Sequence, residues 1–463
     1  ALASKPVMEG KAGLFKKFAG INVFDIEVDE TDPEQFIKVV RALEPTFGGI
    51  NLEDIKAPEC FTIESQLREQ MNIPVMHDDQ HGTAIIVGAA LMNGLKVAEK
   101  EIGAIKLVCS GAGAAALACL DLVVKLGVKK ENIFVSDIAG VIYEGRTEEI
   151  NEYNVKYAQK TDARTLGDVI GGADVFLGVS APGVLKPEMV KTMADRPLIM
   201  ALANPTPEIL PEEAKKVRPD AVIATGRSDY PNQVNNVLCF PFLFRGALDV
   251  GATAINDEMK MACVHALAEL AHVESDETVV RAYGLQELNF GPDYLIPKPF
   301  DPRLLVELAP AVARAAMDSG VATRPIEDFD VYRQKLTDFV FRSGIAMKPV
   351  FERAISNPKR VVYAEGESRR VLRAVQTAVD EGIVKPILIG RRSVVSMRIE
   401  QLGLRLSVDD DFELVDPEGD ERYREYWEDY HSITSRDGVS RNEARFLVRT
   451  NTTVIASLML KRK

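Results

Sequence analysis

Apolar runs of strand length alternate with helix-like segments through the middle of the chain. The runs are IKLVCS, NIFVSD, DVFLGVS, PLIMALAN and AVIATG, and they lie between helical patterns such as GTAIIVGAALMNGLKVAEK and FPFLFRGALDVGATAINDEMKMACVHALAELAHV. Unbroken apolar runs are typical of strands that are buried on both faces of a sheet. Their alternation with helices predicts a parallel, doubly wound α/β sheet, which we place in a domain spanning residues 81–320.

Shorter patterns flank this region on both sides. Residues 1–80 hold a strand-like alternation near residues 21–28 and a helix–strand pattern in PEQFIKVVRALEPTFGGI, which predict a partial α/β domain. Proline and acidic residues become frequent from residue 274 onward, and we interpret residues 321–345 as a connector. Residues 346–463 begin a second α/β pattern with RVVYAEGES, VLRAVQTAVDEGI and PILIGRR, and they end with the helix-like NEARFLVRTNTTVIASLMLK. We expect this last domain to be partial too, and because the first residue is Ala1 rather than Met, we expect the native start to be missing.

The composition is that of an acidic, soluble globular protein. The chain of 463 residues carries a formal charge of −13, which argues against nucleic-acid and anionic-membrane partners because these need basic patches. No apolar run has the length that a membrane span requires. The cysteines lie at positions 60, 109, 119, 239 and 263 without CxxC spacing, so we expect reduced core residues and a cytoplasmic protein.

A glycine-rich turn follows the first central strand. Gly111, Gly113 and Ala116 form a G-x-G-x-x-A pattern between IKLVCS and a long apolar helix, and the next strand ends at Asp137. Glycines there let the backbone approach a pyrophosphate at the helix N-terminus, which predicts a Rossmann-type dinucleotide site. Asp137 would bind the ribose hydroxyls and favours NAD, unless it is merely a turn cap. Basic residues close enough in sequence to take the 2′-phosphate of NADP are Lys129, Lys130 and Arg146.

Two pairs of adjacent carboxylates, Glu53-Asp54 and Asp78-Asp79, each end an apolar run. Carboxylates that converge at strand ends repel one another unless a cation neutralises them, and oxygen ligands suit Mg²⁺ or Mn²⁺. The alternative is that they cap the neighbouring helices. Lys11, in PVMEGKAGLF, is a candidate general base if a cation or desolvation lowers its pKa, and otherwise a surface lysine.

Three asparagines follow later strands, namely Asn204 in MALANPTPE and the pair Asn235 and Asn236 in YPNQVNNVLCF. Amides at strand ends can hydrogen-bond a substrate carboxylate or the amide of a nicotinamide ring without adding charge. The alternative is turn formation, above all for Asn204 before Pro205.

These motifs together resemble a known family. PVMEGKAGLFKKFAGI, NLEDI, MHDDQHGTA, GAGAAA, GVSAPG, ALANPTPEI and NQVNNVLCFPF follow the order and spacing found in malic enzymes, over about residues 1–320. The stretches AEGESRRVLRAVQTAVDEGIVKPILIG and ITSRDGVSRNEARFLVR resemble the start of a phosphotransacetylase-like domain. The combination resembles the bacterial two-domain malic enzymes, which are usually NADP-dependent.

The resemblance implies a role for each candidate residue. Lys11 matches the general base that takes the proton from the C2 hydroxyl of malate, and Asp78 matches its carboxylate partner. The residues that match metal ligands are Glu53, Asp54 and Asp79. Asn204 and Asn236 match residues that hold the substrate carboxylates, and Asn235 is assigned to the cofactor. The family's tyrosine general acid and substrate-binding arginine match no motif in this sequence.

The resemblance also implies the reaction and its partners. We expect oxidative decarboxylation of malate to pyruvate and CO2 with NADP or NAD, dependent on Mg²⁺ or Mn²⁺. The C-terminal domain is expected to be regulatory, with acetyl-CoA as an effector, in a homo-oligomer. Two alternatives remain: a 2-hydroxy-acid dehydrogenase without decarboxylation, against which the paired carboxylates speak, and a metabolite-sensing protein with an inert catalytic part.

Overall fold

The chain divides into two compact units, Ala1–Val340 and Phe341–Lys463. The computed structural model describes residues 4–273 and 289–462, so the first part of the proline-rich stretch predicted from residue 274 lies outside the described residues. A 28-residue helix, Phe329–Ser356, occupies most of the region predicted as a connector.

The first unit begins with a small helix–strand layer. Its elements are α1 (Lys5–Ala19), α2 (Pro33–Ala42), β1 (Ile50–Leu52), α3 (Glu59–Gln70) and β2 (Val75–His77). β1 and β2 pair in parallel, with Leu52 opposite His77. The strand predicted near residues 21–28 is wrong, because the segment has no regular structure. No strand of the described residues pairs with it, and its apolar side chains stay partly exposed, Phe24 at 72%.

A six-stranded sheet forms the centre of this unit. Its strands are β3 (Leu107–Ser110), β4 (Ile133–Asp137), β5 (Gly140–Val141), β6 (Val175–Gly178), β7 (Leu198–Ala201) and β8 (Val222–Thr225). Their order is β5-β4-β3-β6-β7-β8, and only the β4–β5 pair is antiparallel. β3 and β6 are parallel neighbours, but the chain adds later strands on opposite sides of them. This reversal of strand order leaves a crevice at their carboxyl ends. The prediction of a doubly wound, Rossmann-type sheet is confirmed, with β5 as a short unpredicted addition.

Helices cover both faces of the sheet. They are α4 (Asp78–Ala98), α5 (Ala114–Lys125), α6 (Leu166–Ile170), α7 (Pro187–Lys191), α8 (Pro211–Val217), α9 (Phe240–Asp249), α10 (Asp257–Leu270) and α11 (Arg303–Asp318). The next helix, α12 (Phe329–Ser356), begins in this unit and continues past its end at Val340. Alternate residues of β3 point to different cores: Leu107 and Cys109 pack with α4 and α5, whereas Val108 packs on the opposite face. This two-sided burial explains why the strands are apolar throughout.

Helix α4 differs from the prediction that no apolar run has the length of a membrane span. It is long and apolar enough to cross a membrane, but 72% of the relevant window is buried inside the unit. Core helices of globular domains meet the same criteria. The five cysteines are likewise free and buried, as predicted.

The second unit contains a three-stranded parallel sheet in the order β11-β10-β9. Its elements are β9 (Lys359–Tyr363), α13 (Arg369–Asp380), β10 (Val384–Ile389), α14 (Arg392–Gln401), β11 (Glu413–Val415), α15 (Tyr423–Thr434), α16 (Arg441–Thr450) and α17 (Thr452–Lys461). The predicted C-terminal helical stretch is two helices, because Asn451 takes an extended conformation and its side chain caps α17 at the Thr453 N–H.

Candidate active site

Lys11, Glu53 and Asp78 meet in the first unit. The Nζ atom of Lys11 lies 2.5 Å from Oδ2 of Asp78 and 2.8 Å from Oε1 of Glu53. Lys11 comes from α1, whereas Glu53 follows β1 and Asp78 follows β2. Because β1 and β2 are parallel neighbours, the residues after their carboxyl ends lie side by side. The pairing predicted between Lys11 and Asp78 is therefore present, and Glu53 shares the same ammonium group.

Three further side chains contact the cluster formed by Lys11, Glu53 and Asp78, which we call the Lys11 group. Asn236 donates from Nδ2 to Oδ2 of Asp78 at 2.6 Å. Asn51 donates from Nδ2 to Oε2 of Glu53 at 3.1 Å, and the Phe240 ring centroid lies 4.3 Å from the Lys11 ammonium. No role for Asn51 or Phe240 was predicted from the motifs. Asn51 could have been found from strand periodicity, since it stands two residues before Glu53 and so faces the same side.

Burial shifts the ionisation of all three charged groups. Burial raises the pKa of Glu53 to about 7, with a further rise from Asp78 that Lys11 opposes. Burial also raises the pKa of Asp78 to about 6, although the charge of Lys11 opposes the rise. Burial by itself lowers the pKa of Lys11, but the charges of Asp78 and Glu53 outweigh it, so the net shift is upward. The single ammonium group of Lys11 thus compensates two carboxylates, Glu53 and Asp78, in poorly solvated surroundings.

Asp54 and Asp79 are arranged differently from the prediction of a three-carboxylate cluster. The Asp54 side chain is exposed, and its backbone N–H donates to Oδ2 of Asp79 at 2.9 Å. Within residues 4–273 and 289–462, no three Asp, Glu, His or Cys side chains are close enough together to hold a metal ion. The assignment of Glu53, Asp54 and Asp79 as ligands stays a prediction.

The donor chemistry nevertheless fits a hard divalent cation. Oδ1 of Asp78 and Oδ1 of Asn51 are buried and have no hydrogen-bond partner among the described residues. Both are oxygens, as are the atoms of Glu53 and Asp79 nearby, and such sets suit Mg²⁺ or Mn²⁺. Neither α3 nor α4 has a side-chain N-cap bond, but Asp78 and Asp79 lie in the first turn of α4, where the helix dipole favours negative charge. The capping alternative is therefore supported only in this electrostatic form.

Gly82 makes room for Asp78. It lies one turn further along α4, and a Cβ atom there would stand 1.9 Å from Oδ1 of Asp78 and 3.1 Å from Cβ of Asn236. Any other residue would displace the carboxylate. Sequence analysis missed this role, and the signal available was a glycine inside the predicted helix, four residues after an acid.

The glycine-rich turn has the geometry that dinucleotide binding requires. Gly111 has φ +116°, and a Cβ there would lie 2.6 Å from the carbonyl oxygen of Val179. Gly113 is the N-cap residue of α5, and Ala116 is buried in that helix. The turn lies at the carboxyl end of β3 beside β6, where the strand order reverses and ligands of such sheets bind.

Asp137 is bound by a buried arginine. Arg146 donates from Nη2 to Oδ2 of Asp137 at 2.5 Å and also to the carbonyl oxygens of Gly140, Val141 and Glu148. Its guanidinium group is therefore largely engaged. Arg146 was one of three basic residues predicted as candidates for the 2′-phosphate, but it partly neutralises Asp137 instead. The other two candidates, Lys129 and Lys130, are exposed.

The other asparagines do not join the Lys11 group. Asn204 is exposed on the loop after β7, and neither it nor Asn235 bonds to Lys11, Glu53 or Asp78 among the described residues. The side chain of Asn235 accepts from the Val237 N–H at 3.0 Å and caps a short 3-10 helix. Their predicted ligand contacts stay predictions.

Glu208 is buried and connects the loops that follow β6 and β7 at the carboxyl ends of these strands. No role was predicted for it from the sequence. It accepts hydrogen bonds from the Ser180 N–H at 2.8 Å and the Ala203 N–H at 3.0 Å, which follow β6 and β7. The sequence signal that could have identified Glu208 is that it is the single acidic residue of ALANPTPEI, next to a predicted strand end.

A cavity of about 830 Å³ opens beside Lys11 and Glu53. It is lined by α1, α2 and the irregular segment after α1, with mostly apolar side chains such as Phe15, Ile21 and Phe36. The charged residues that line it are Lys11, Asp25, Glu27, Glu30, Glu53, Asp54, Lys56 and Glu59.

The fold is that of a Rossmann-type dinucleotide-binding protein, as shown by the order of the strands, the glycine-rich turn after β3 and the acid Asp137 at the end of β4. The protein also contains a buried lysine–carboxylate centre, formed by Lys11, Glu53 and Asp78. Comparison with known proteins gives the family. Residues 2–68 match the malic enzyme N-terminal domain, residues 80–283 the malic enzyme NAD binding domain, and residues 345–463 the phosphate acetyl/butaryl transferase domain. The chain belongs to the malic enzyme family, as the motifs predicted.

Individual relatives agree with this assignment. The chain is 64% identical over 463 residues to an NADP-dependent malic enzyme of Escherichia coli, and 63% identical over 462 residues to an NAD-dependent malic enzyme of Rhizobium meliloti. All of this chain is covered, but it spans only 61% and 60% of those proteins. It is 57% identical to an NADP-dependent malic enzyme of Halomonas elongata, covering 70% of this chain and 76% of that one.

A solved structure supports the fold directly. The crystal structure of malic enzyme from Pyrococcus horikoshii aligns with a TM-score of 0.67 and 40% identity, covering 75% of this chain and 79% of that one.

Proposed function

We propose that the protein catalyses oxidative decarboxylation of malate to pyruvate and CO2 with reduction of a nicotinamide cofactor. The observation that carries the proposal is the Lys11–Asp78 pair, held by Asn236 and joined by Glu53. A lysine that faces two buried carboxylates in a Rossmann-type protein is suited to proton transfer beside a hydride acceptor. The names of the relatives agree with this proposal.

Lys11 is proposed as the base that takes the C2 hydroxyl proton. Because Asp78 and Glu53 by themselves raise its pKa, this role requires that a cation compensate the carboxylates. Asp78 orients its Nζ atom, and Asn236 fixes Asp78 by donating to the same oxygen, Oδ2. Asn204, on the loop after β7, is proposed with Asn236 to bind the substrate carboxylates. Burial excludes water from the Lys11 group, which strengthens each of these interactions.

Mg²⁺ or Mn²⁺ is proposed at the carboxylates, with Glu53, Asp54 and Asp79 as the residues that would hold it. When bound, the cation would compensate the carboxylates, polarise the substrate oxygen and stabilise the enolate charge left by loss of CO2. The plain 2-hydroxy-acid dehydrogenase would need no such set of acids.

The cofactor site is proposed at Gly111, Gly113 and Ala116, with Asp137 toward the ribose and Asn235 toward the cofactor. The relatives include both NADP- and NAD-dependent enzymes, so the cofactor is proposed to be NADP or NAD. Asp137 favours NAD, and its partial neutralisation by Arg146 reduces its repulsion of a 2′-phosphate.

The remaining assignments are also proposals. We place domain boundaries at residues 1–80, 81–320, 321–345 and 346–463. The C-terminal part is proposed to be regulatory with acetyl-CoA as an effector, and the protein to be a cytoplasmic homo-oligomer.

The test compares wild type with Asp79→Ala in the intact protein. Pyruvate formation and cofactor reduction from malate are measured with NAD and NADP side by side, with and without added Mn²⁺. Mn²⁺ binding is followed independently from the loss of the free-ion magnetic resonance signal. Turnover by the variant without metal would refute the metal assignment. Cofactor reduction without CO2 release would indicate the plain dehydrogenase, and acetyl-CoA binding without turnover the sensing protein.

A further inference from the structure

A second cavity, of about 280 Å³, shares no lining residue with the first. It lies among α3, α4, α5 and α10. Its charged lining residues comprise four cations and two carboxylates: Arg68, Lys125, Lys156, Lys260, Asp121 and Asp257. We call it the basic cavity. An excess of two positive charges in one cavity contrasts with the chain's formal charge of −13.

The inner part of the basic cavity is short of negative charge. Lys260 is only 6% exposed and lies 2.8 Å from Oδ1 of Asp257, while the other oxygen of Asp257 binds Lys125. One carboxylate is thus shared by two ammonium groups. Burial lowers the pKa of Lys260, with Asp257 opposing the shift, so holding the charge there has a cost. A bound anion would reduce that cost.

Arg68 adds a cation that makes no salt bridge within residues 4–273 and 289–462. Its one hydrogen bond there is to the carbonyl oxygen of Ile255 at 3.3 Å, and the charge of buried Glu64 acts on it from beyond salt-bridge distance. Lys156 pairs with Asp121 at 2.7 Å nearer the solvent. The stacked rings of Phe61 and Tyr153, with centroids 4.2 Å apart, supply an aromatic wall.

The volume restricts the ligand to a small molecule. About 280 Å³ corresponds to roughly nine water molecules at about 30 Å³ each, and this is the lower end of the size of metabolite pockets. None of the residues proposed above for malate, metal or nicotinamide cofactor lines this cavity.

We propose that the basic cavity binds a small metabolite with two negative charges, carried by a phosphate or by two carboxylates, and that this site regulates the lysine–carboxylate centre. The binding does not depend on the proposed function, whereas the regulation rests on it.

Glu64 connects the two sites. It is buried, and His81, which lines the basic cavity, bonds to it through Nε2 at 2.9 Å. Glu64 also accepts from the backbone N–H of His77 at 3.1 Å. His77 directly precedes the Asp78–Asp79 pair, and Lys260 lies 3.5 Å from Nδ1 of His81. An anion that attracts Lys260 changes the partners of His81 and Glu64, and so biases the position of the turn that begins α4.

Binding is tested by calorimetric titration at constant ionic strength on the full 463-residue chain. The probes are inorganic phosphate and succinate, which separate a phosphate ligand from a dicarboxylate. Lys260→Met is expected to weaken the preferred probe about tenfold, and Lys156→Met by a similar factor. Because Lys156 is at the rim, that variant tests the site even if Lys260→Met fails to fold.

Lys100→Met is the matched control for these variants. Lys100 is mostly buried, pairs with Asp174 at 2.5 Å and lies outside the basic cavity, so the variant loses the same charge and the same kind of bond. Its affinity for the probe should stay within about twofold of wild type. Absence of saturable binding, or equal weakening in Lys100→Met and the cavity variants, overturns the proposed site.

Regulation is tested in the intact, active protein. At fixed free Mn²⁺, the bound probe is expected to change KM for malate by about fivefold or more. Glu64→Gln should abolish that change while direct titration still detects probe binding. An unchanged KM with a saturated site refutes the regulation alone. Absence of malate turnover in the wild-type protein without probe, with probe binding intact, would refute the proposed function and not the site.

Discussion

The replacement Gly82→Ala should separate catalysis from stability. The new Cβ would lie 1.9 Å from Oδ1 of Asp78, whereas ordinary contact begins near 3.4 Å, so the carboxylate must move by about 1.5 Å. That movement disturbs its bonds to Lys11 and Asn236. A misplacement of about 1 Å can reduce a rate about 10²-fold, so we expect kcat/KM for malate to fall by that factor, or about 2.7 kcal/mol in transition-state free energy.

The stability of Gly82→Ala is expected to change much less. Alanine inside a helix gains about 1 kcal/mol over glycine, which offsets part of an overpacking cost of about 1–3 kcal/mol. The free energy of unfolding should therefore fall by at most about 2 kcal/mol, measured by denaturant titration beside steady-state kinetics.

Gly88→Ala provides the control in the same helix. Its Cβ would lie 2.5 Å from Cδ2 of Leu122, an apolar contact without a link to Asp78. With the same gain of about 1 kcal/mol from alanine in a helix, this variant should lose at most about 2 kcal/mol of stability and keep kcat/KM within about threefold. If folded Gly82→Ala also kept wild-type kcat/KM, the position of Asp78 would not matter for catalysis and our reasoning would be wrong.

Three further predictions concern single residues. Asn236→Ala removes the 2.6 Å bond to Asp78 and should lower kcat/KM for malate about tenfold, while the dissociation constant of the cofactor, measured by fluorescence, stays the same. Asp137→Asn leaves the Arg146 charge uncompensated and should raise the NADP:NAD ratio of kcat/KM about tenfold. Asn451→Ala removes the cap of α17 and should destabilise the C-terminal unit by about 1 kcal/mol, measured by thermal unfolding.

Each of these predictions has a result that contradicts it. Equal losses of malate turnover and cofactor affinity in Asn236→Ala would indicate a general structural defect. An unchanged cofactor ratio in Asp137→Asn would exclude that carboxylate as the selector. A stability unchanged by Asn451→Ala, with Thr450→Ala as a neighbouring control, would show that the helix break does not depend on the cap.

The sequence predicted the central sheet well because each strand is buried on both faces. Apolar runs such as LVCS and VFLG therefore carry the strand signal in their own composition. The segment at residues 21–28 has the alternation of a strand, but a strand also needs a neighbour with free hydrogen-bonding groups, which a local pattern cannot reveal. The break at Asn451 was hidden by helix-like residues on both sides.

The candidate site was predicted as a set of residues rather than as a geometry. Lys11 and Asp78 were paired through the family resemblance, and their contact agrees with it. The engagement of Arg146 with Asp137 depends on how the β4–β5 turn folds back, and the room left by Gly82 depends on the rotamer of Asp78. Neither can be inferred from spacing, because both arise from side chains that meet only in three dimensions.

The contacts that join Lys11, Asp78 and Asn236 are all long-range. Lys11 and Asp78 are 67 residues apart in the chain, and Asp78 and Asn236 are 158 apart. Closing loops of this length is entropically costly, so such contacts form after local helices and hairpins during folding. Partly folded chains, including those still emerging from the ribosome, therefore lack the paired lysine and carboxylate. Recovery of activity in refolding experiments should accordingly lag behind recovery of helical circular dichroism.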